Sequence, residues 1–590
     1  MKILFERCAY SKSTLEKIIP VEWITYRRDY VETLMVGYFY SQKNNGEPVF
    51  ILPKVFVNDG CFFGTDYSKF YDYDRLLQGW RNGISTKGPW RRPGFFLYYL
   101  SIQVVKAIGK YQKSVDTIAA QTGQLPTVHS KNCDSKSTSF LELYNSLLEF
   151  YRRNKNLFTF ISRTSHAGKK IKWNKTIASQ TPAVIDDFPV YIQPYKTVKK
   201  INYEEELIKL LYSVLEDFKK KFGIEIKFEF NYPIYRGHEF KKLLDGKGVR
   251  ILKRIRHKYF RDVFIKLWEL LYAFFDLGRT GLRKGDHEEW RVCSSFEHVF
   301  EDMVDDLIGD KDLTKDEIYF KDQKDGKIVD HLMNLRDLLY DQNIFFVADS
   351  KYYKEETSTE GRPLEKQFTY AKNIIQYGIN QLLEGGDFNK IRGRRYRDAV
   401  TEGYNITPNF FIRARVDDGN RDDMWHIRRK EGDQGSMQVQ FENRLFDRDT
   451  LIVLEFEAEF RFVLSIYISG NKYERERVKS EVMAEFRKEF TEYLNGHYEF
   501  HECEFESLEK LEGFIKFNFK DLIGKVYKPS GSAPRLYLAL AASCGEGERR
   551  RVLSLFENTG YMVGFNCGVV TIRHVILTEE GLRPVPENMD

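Results

Sequence analysis

The segment Ile344–Tyr353, which reads IFFVADSKYY, places an acid and a base at the end of an apolar run. Because side chains alternate between two faces along a β-strand, Asp349 and Lys351 should share a face with Phe345 and Val347. A charged group in such a buried setting is costly unless it is paired or bound to a metal. The two residues could simply form a salt bridge, or they could be one edge of an active site.

Further acids could complete such a site. Asp330 ends the apolar segment Lys327–Val329, and two adjacent strands could bring it to the same edge of the sheet as Asp349. Two carboxylates beside an open face suit Mg²⁺, which prefers oxygen ligands and keeps several waters, and Mn²⁺ could substitute for it. Upstream, Glu297 and Glu301 lie four residues apart on one helix face, and either could complete the metal site.

Gln367 shares a helix stripe with Ala371 and Ile374, so we expect it to face the sheet. It could reach the active site or make an ordinary hydrogen bond at the helix end. His331 and Ser350 should point to the opposite strand face and serve structure. The acids Asp302, Asp305 and Asp306 read as a solvated helix face.

The elements that must position these residues follow one another closely. We predict a helix, three strands, a helix and a further strand, which together make a compact α/β unit. Their predicted bounds are Ser294–Ile308, Ile318–Phe320, Lys327–Met333, Ile344–Tyr353, Pro363–Leu383 and Asn409–Arg413. Beyond them we predict a β segment over Thr450–Ile468, a helix over Tyr473–Leu494 and a mixed α/β tail. Upstream, Tyr203–Phe222 and Val263–Leu277 have helical spacing.

A helix Glu, then an Asp, then D-x-K resembles the pattern of the PD-(D/E)XK nuclease superfamily, with Val329 where that pattern often has Pro. The chain more closely resembles the LlaJI-type restriction endonucleases, relatives of the McrC-type nuclease subunits. The stretches that carry this resemblance are VFILPKVFV (49–57), GKKIKWNKTI (168–177), FEHVFEDM (296–303), ADSKYY (348–353) and PLEKQFTY (363–370). The family's helix glutamate matches Glu301 rather than Glu297. The resemblance covers roughly residues 35–415.

The resemblance implies a restriction subunit that cuts double-stranded DNA beside a separate AAA+ GTPase or ATPase motor similar to McrB. The expected fold class is α/β: a PD-(D/E)XK nuclease core, in which helices flank a mixed sheet, with an N-terminal α+β domain and a helical connecting region. We expect an N-terminal domain over residues 1–195 for DNA recognition or partner docking, and a connecting region over 196–290. The nuclease core should span 291–470, followed by a C-terminal α/β extension over 471–590.

Composition excludes several other classes. Hydrophobic residues make up 42% of the 590 residues and charged residues 30%, which argues against wholesale disorder. The seven scattered cysteines form no CxxC pair, which argues against a disulfide framework or a structural zinc site. The sequence contains no GxxxxGK[ST] motif, so a motor would have to be another chain. With no signal-peptide pattern and no long apolar run, we expect a cytoplasmic protein without membrane contact.

The net charge of +6 is too small to indicate nucleic-acid binding by itself. Basic runs at Arg250–Arg261 and Lys390–Arg397 suit phosphate contacts or a solvated surface equally well. We therefore hypothesise that Asp330, Asp349 and Glu301 bind Mg²⁺, and that Lys351 positions or deprotonates the attacking water. The alternatives are an inactive nuclease fold that binds DNA or activates a motor, and an RNA-cleaving defence effector.

Overall fold

The periodic apolar residues of the chain form helices whose apolar stripes are buried. In the helix Glu206–Phe222, Leu207, Leu211 and Phe218 are all buried, as a spacing of three and four residues predicts. The helix ends at Gly223, whose φ of 66° lies in the left-handed region that glycine adopts at little cost. Local sequence thus decides both the buried face and the end of this helix.

The computed structural model describes residues 1–41, 47–72, 76, 92–122, 128–131, 139–284, 288–311, 313, 329–353, 362–383, 394–417, 426–557 and 568–585. The helices are α1 (Lys12–Leu15), α2 (Pro93–Thr122), α3 (Phe140–Arg153), α4 (Trp173–Ser179), α5 (Glu206–Phe222), α6 (Gly237–Lys242), α7 (Gly248–Ile255), α8 (Asp262–Lys284), α9 (Phe296–Ile308), α10 (Arg362–Leu383), α11 (Phe460–Ser469), α12 (Lys472–His497), α13 (Leu508–Leu522) and α14 (Glu546–Glu557).

The strands up to residue 293 are β1 (Lys2–Phe5), β2 (Ile24–Tyr26), β3 (Val31–Thr33), β4 (Val36–Ser41), β5 (Pro48–Leu52), β6 (Cys61–Phe62), β7 (Thr65–Asp66), β8 (Val128–Lys131), β9 (Phe160–Ser165), β10 (Lys170–Ile171), β11 (Ala183–Ile185), β12 (Phe188–Val190), β13 (Lys196–Ile201) and β14 (Glu288–Cys293). The later strands are β15 (His331–Arg336), β16 (Asn343–Lys351), β17 (Pro408–Arg415), β18 (Ile427–Arg429), β19 (Ser436–Gln438), β20 (Leu451–Glu459), β21 (Tyr498–Phe505), β22 (Val526–Tyr527), β23 (Arg535–Ala541), β24 (Val569–Thr578) and β25 (Gly581–Pro584).

Residue contacts divide the chain into two compact units. Unit 1 comprises Met1–Leu52, Tyr67–Ile108 and Gly123–Ser294, and unit 2 comprises Pro53–Asp66, Gly109–Thr122 and Ser295–Asp590. The expected boundaries at 195/196 and 470/471 fall inside these units, and the division into four domains stays a prediction. Across the described residues the fold is mixed α/β with several sheets, as the sequence predicts.

Unit 1 contains a five-stranded sheet in the order β1-β5-β4-β14-β8, in which β1 and β5 are parallel and the other pairs antiparallel. Its charged interior residue is Glu289, which is fully buried on β14. The carboxylate accepts a hydrogen bond from Tyr38 Oη at 2.8 Å and from the backbone N–H of Phe140 at 2.9 Å. A carboxylate at the first residue of α3 satisfies backbone donors that the helix leaves unpaired.

Unit 2 contains a six-stranded sheet in the order β15-β16-β17-β20-β18, with β19 also paired to β20. The strands β16, β17 and β20 run parallel, and β15 and β18 are antiparallel to their neighbours. Helix α12 covers one face, where the ring of Phe486 lies 4.2 Å from that of Phe410 and 4.6 Å from that of Phe456. The result is a mixed sheet flanked by helices.

Unit 2 also includes a short segment from much earlier in the chain. The segment Pro53–Asp66 follows β5, where Pro53 ends the strand and a 3₁₀ turn spans Lys54–Phe56. The ring of Phe56 packs edge-on against Phe460 at 5.2 Å, and the Lys54 ammonium lies 4.5 Å from the Tyr352 ring centre. The core of unit 2 is therefore assembled from separated parts of the sequence.

The C-terminal part of unit 2 forms a second, antiparallel sheet in the order β22-β23-β21-β24-β25. Helices α13 and α14 pack beside it, and its core includes Cys503, Leu511, Phe514, Leu538 and Phe556. This agrees with the mixed α/β tail predicted from the sequence. No helix among the described residues has both the length and the apolar character that crossing a membrane requires.

The predicted β segment Thr450–Ile468 is only half right. The strand ends at Glu459 and helix α11 begins at once, because the Glu459 carboxylate accepts the backbone N–H of Phe462 at 2.7 Å. The predicted strand Ile318–Phe320 lies outside the described residues, as do Lys327 and Ile328. The described strand there begins at His331, so Asp330 precedes it.

The prediction of a solvated acidic face on α9 is wrong. Asp302 accepts a hydrogen bond from the hydroxyl of Tyr467, and Asp306 accepts hydrogen bonds from Lys110 at 3.0 Å and from Arg475 at 2.9 Å. Both acids are therefore tied into the packing of unit 2. Helical spacing could not reveal this, because the partners lie far away in the sequence.

We expect Asp306→Asn to lower the free energy of unfolding at pH 7 by about 2 kcal/mol, because cations would remain in a largely buried place without their carboxylate. Burial raises the pKa of Asp306, but hydrogen bonds from Lys311 and Lys110 outweigh burial and bring the pKa below its usual value. The carboxylate therefore stabilises the fold above the pKa of the unfolded chain, and this benefit is lost as the pH falls through the folded pKa. Urea unfolding at several pH values measures this.

The matched control for that experiment is Glu485→Gln, which removes an exposed ion pair with Lys488. Such a pair contributes at most about 0.5 kcal/mol. If Asp306→Asn cost no more than the control, the network around Asp306 would not stabilise the protein.

Candidate active site

Asp330 and Asp349 lie at adjoining ends of two paired strands. In the antiparallel pair β15–β16, His331 is opposite Ala348, and the same register continued by one residue sets Asp330 opposite Asp349. The carboxylate of Asp330 accepts the backbone N–H of Ser350 at 2.8 Å, and the Asp349 side chain is buried. The strand pairing thus brings together two acids that the sequence keeps well apart.

Lys351 forms an ion pair with Asp349, as strand alternation allows. Burial and, to a smaller extent, the charge of Lys366 lower the pKa of Lys351 to about 8, against the opposing attraction of Asp330. Near pH 8 an appreciable fraction of this amine is therefore neutral. A neutral amine can accept a proton, and its protonated form can stabilise an anion.

Glu301 on α9 is the helix acid that acts on Asp330. Burial raises the pKa of Asp330, and the negative charge of Glu301 raises it further. The Glu301 side chain is about one-third exposed, and its Oε2 lies 3.1 Å from Nδ1 of His298. Glu297 lies in the first turn of the same helix. Because burial and a neighbouring carboxylate make the charge of Asp330 costly, a cation would be favoured beside it.

Gln367 is buried on α10 and faces the sheet, as its helical stripe predicts. Its side-chain nitrogen donates to the side-chain oxygen of Asn409 on β17, and Asn409 Nδ2 donates back to the Gln367 carbonyl at 3.4 Å. The Gln367 Oε1 atom is buried without a hydrogen-bond donor from the described residues. Gln367 therefore fixes helix α10 on the strand that neighbours β16.

We expect Gln367→Leu to lower cleavage by about tenfold to a hundredfold, because the helix beside the site would lose its attachment to β17. The buried Asn409 amide would also lose its partner, so the free energy of unfolding should fall by about 1–3 kcal/mol. Initial cleavage rates and thermal unfolding measure the two effects. Glu365→Gln, an exposed change on the same helix, is the control and should alter neither.

His331 and Ser350 lie on the other side of the strands, as predicted. The His331 ring is fully buried, with Nε2 2.7 Å from Ser350 Oγ and Nδ1 3.2 Å from Asp305. These contacts fasten α9 to β15 and β16. His331 therefore has a structural role: it holds α9, the helix that carries Glu301, against the sheet.

Sequence reasoning missed two cations near the site. Lys366 lies one residue before Gln367. Burial acts to lower the pKa of Lys366, but its contact with Tyr370 and the charges of Asp330 and Glu301 together raise that pKa above its usual value. Arg413 is paired in register with Lys351 on the next strand, and its charge lowers the pKa of Lys351. Lys366 could have been noticed within PLEKQFTY. Arg413 required knowledge of which strands are neighbours.

The residues present fit a divalent cation held by two carboxylates. Among the described residues, no group of three His, Cys, Asp or Glu side chains is close enough to hold a metal ion. Mg²⁺ commonly takes only one or two protein carboxylates and keeps waters for the rest. Asp349 Oδ2 is buried and accepts no hydrogen bond from the described residues, although the Lys351 ammonium lies against it. A cation would satisfy that oxygen and offset the charge at Asp330.

Comparison with protein families matches residues 99–399 to the family described as LlaJI restriction endonuclease. The matched range covers just over half of the chain and contains Glu301, Asp330, Asp349, Lys351 and Gln367. No curated protein and no solved structure matches the chain. The match agrees with the resemblance seen in the sequence motifs and supports a nuclease of a restriction system. The chain belongs to the LlaJI restriction endonuclease family.

Proposed function

We propose that this protein is a Mg²⁺-dependent DNA endonuclease subunit, with a PD-(D/E)XK core formed by the sheet of β15–β20 and helices α9 and α10. The observation that carries the proposal is the meeting of Asp330, Asp349 and Lys351 at one edge of that sheet. Membership of a restriction endonuclease family makes DNA the expected substrate.

Asp330 and Asp349 would hold the metal, and Glu301 would reach it through a water, since among the described residues no three acids are close enough to bind one ion directly. When bound, the ion would act as a Lewis acid that offsets negative charge on the scissile phosphate. Ser350 N–H orients the Asp330 carboxylate through its 2.8 Å hydrogen bond. Asp330, Asp349 and Glu301 would thus supply the negative charge that favours a cation beside Lys351.

Lys351 would act on the attacking water and on the phosphate. With its pKa near 8, the amine can take a proton from water in its neutral form. In its charged form it can donate a hydrogen bond to a phosphate oxygen, where charge accumulates as the P–O bond to the leaving oxygen breaks. Metal binding at Asp349 would release the ammonium from its present ion pair with that residue.

We propose that a separate McrB-like GTPase or ATPase motor works with this subunit. The sequence has no P-loop of its own, so nucleotide-driven movement along DNA would need another chain. Support for the motor and for its coupling to cleavage comes from membership of the restriction endonuclease family.

Cleavage of plasmid DNA tests the proposal. The purified chain is incubated with Mg²⁺, Mn²⁺ or EDTA, with and without a candidate McrB-like motor from the same host and GTP or ATP. Metal-dependent cleavage that the motor stimulates is the expected result. DNA binding without cleavage under every condition would favour an inactive DNA-binding or motor-activating subunit. Cleavage of RNA but not DNA, without any motor, would favour an RNA-cleaving defence effector.

A further inference from the structure

A row of charged side chains continues from Lys351 across the sheet of unit 2. In register, Lys351 on β16 pairs with Arg413 on β17, Arg413 with Glu457 on β20, and Glu457 with Arg428 on β18. Because side chains of directly paired residues point to the same face, these four share the face that carries Asp349. They lie toward the carboxyl ends of the parallel strands, where open α/β sheets bind ligands.

A cleft of about 140 Å³ opens beside this row. Its lining includes the cations Lys351, Arg413, Arg415 and Lys430, together with the acids Glu431 and Glu457. The cleft is therefore continuous with the proposed catalytic lysine. Cations outnumber acids in its lining by two to one.

The carboxylates of Glu455 and Glu457 form ion pairs with the cations in and beside the cleft. Glu455 pairs with Arg413 at 3.2 Å and with Lys430 at 2.7 Å. Glu457 pairs with Arg415 at 2.6 Å and with Arg428 at 3.4 Å. These ion pairs help to fix the positions of the four cations.

The cations differ in how far they reach solvent. The side chains of Arg415 and Lys430 are 36% and 37% exposed, whereas that of Arg413 is 12% exposed. Arg413 is placed to support the cleft, and Arg415 and Lys430 are placed to contact a ligand. Cations held rigidly by carboxylates lose little freedom on binding, and guanidinium groups match the geometry of phosphate oxygens.

We propose that this cleft binds the DNA phosphodiester backbone next to the scissile phosphate, with Arg415 and Lys430 as its phosphate contacts. The inference rests on the proposed nuclease function and adds to it the path that the cut strand takes from Lys351 over β17 and β18. Such contacts position the backbone and carry no sequence information, so they would act equally on every DNA sequence.

The test compares Arg415→Gln, Lys430→Gln and the double variant with Arg428→Gln in the full chain. Arg428 pairs with the same Glu457 as Arg415 but is absent from the lining of the cleft. Arg415→Gln and Arg428→Gln each remove one charge and one ion-pair partner of Glu457, and they differ in access to the cleft. Affinity for a short DNA duplex is measured by fluorescence anisotropy in EDTA, at several salt concentrations, and thermal unfolding is measured alongside.

Each cleft substitution should weaken binding about tenfold and reduce the slope of log K against log salt by about one. Arg428→Gln should match Arg415→Gln in thermal stability while retaining nearly wild-type affinity. Equal losses of affinity in the two variants, or no loss in either, would overturn the proposal.

The wild-type chain separates this inference from the proposed function. If the wild type cleaves DNA and the cleft variants bind it normally, the cleft proposal fails and the nuclease assignment stands. If the wild type neither binds nor cleaves DNA, the proposed function fails, and the cleft proposal fails with it.

Discussion

Replacing Lys351 with alanine should reduce DNA cleavage at least about a thousandfold while leaving DNA affinity near the wild-type value. The reason is that Lys351 is the cation beside the two acids, with a pKa lowered to about 8 by burial. Unlike Arg415 and Lys430, the Lys351 side chain is only 11% exposed and is paired with Asp349, so its loss should change DNA affinity little, whereas it would act directly on the reacting atoms. Single-turnover cleavage with saturating protein separates the chemical step from binding.

Lys351→Arg distinguishes the two proposed roles of the Lys351 side chain, which are stabilisation of negative charge and proton transfer. Arginine keeps the positive charge but does not lose its proton in the accessible pH range. Substantial cleavage by this variant would show that Lys351 acts through its charge, whereas loss equal to that of the alanine variant would favour proton transfer. Because Lys351→Ala leaves Asp349 buried without its ion pair, thermal unfolding must show that the variant remains folded. Full cleavage by a folded Lys351→Ala would contradict the assignment.

The second large effect is expected for Asp330→Asn, which should lower cleavage at least about a hundredfold and abolish stabilisation by Mg²⁺. The amide keeps the size of the carboxylate but provides no charge for a metal. Without metal, the variant should be at least as stable as wild type near neutral pH, because burial and Glu301 make the Asp330 charge costly. Thermal unfolding with and without Mg²⁺ measures both the stabilisation by the metal and the stability of the metal-free protein, and it does not rely on activity.

Two helix acids serve as matched variants for that experiment. Glu301→Gln removes the charge that acts on Asp330, and Glu297→Gln removes an acid one turn earlier on α9. Stabilisation by Mg²⁺ should weaken in Glu301→Gln and persist in Glu297→Gln. If Mg²⁺ stabilised Asp330→Asn as much as wild type, Asp330 would not be a metal ligand.

Periodicity and strand alternation predicted much of the local structure around the site. The burial of Gln367, the shared face of Asp349 and Lys351, and the position of His331 on the opposite face all follow from spacing along one helix or one strand. These are short-range properties, and a single turn or pleat decides them. The order of the described elements from α9 to β17 could be predicted for the same reason, whereas the strand expected at Ile318–Phe320 stays a prediction.

Contacts between distant segments could not be predicted in this way. Arg413 lies beside Lys351 only because β17 pairs with β16 in parallel, and the sequence of neither strand specifies which strand will be its neighbour. The acids of α9 read as solvated because Lys110, Tyr467 and Arg475 are remote in sequence. At Glu459 the strand pattern continued past the true end, since apolar residues suit both a buried strand and the buried helix α11.

The early segment Pro53–Asp66 has a practical consequence for anyone dissecting this enzyme. A polypeptide begun at Ser295 would retain Glu301, Asp330 and Asp349 but would lack Phe56. Phe460 would then face water where the Phe56 ring now packs against it. The Lys54 ammonium above Tyr352, directly after β16, would be missing as well. Gene truncation at Ser295 would therefore yield an incomplete unit 2, and we expect its packing to be restored when the missing segments Pro53–Asp66 and Gly109–Thr122 are supplied in trans.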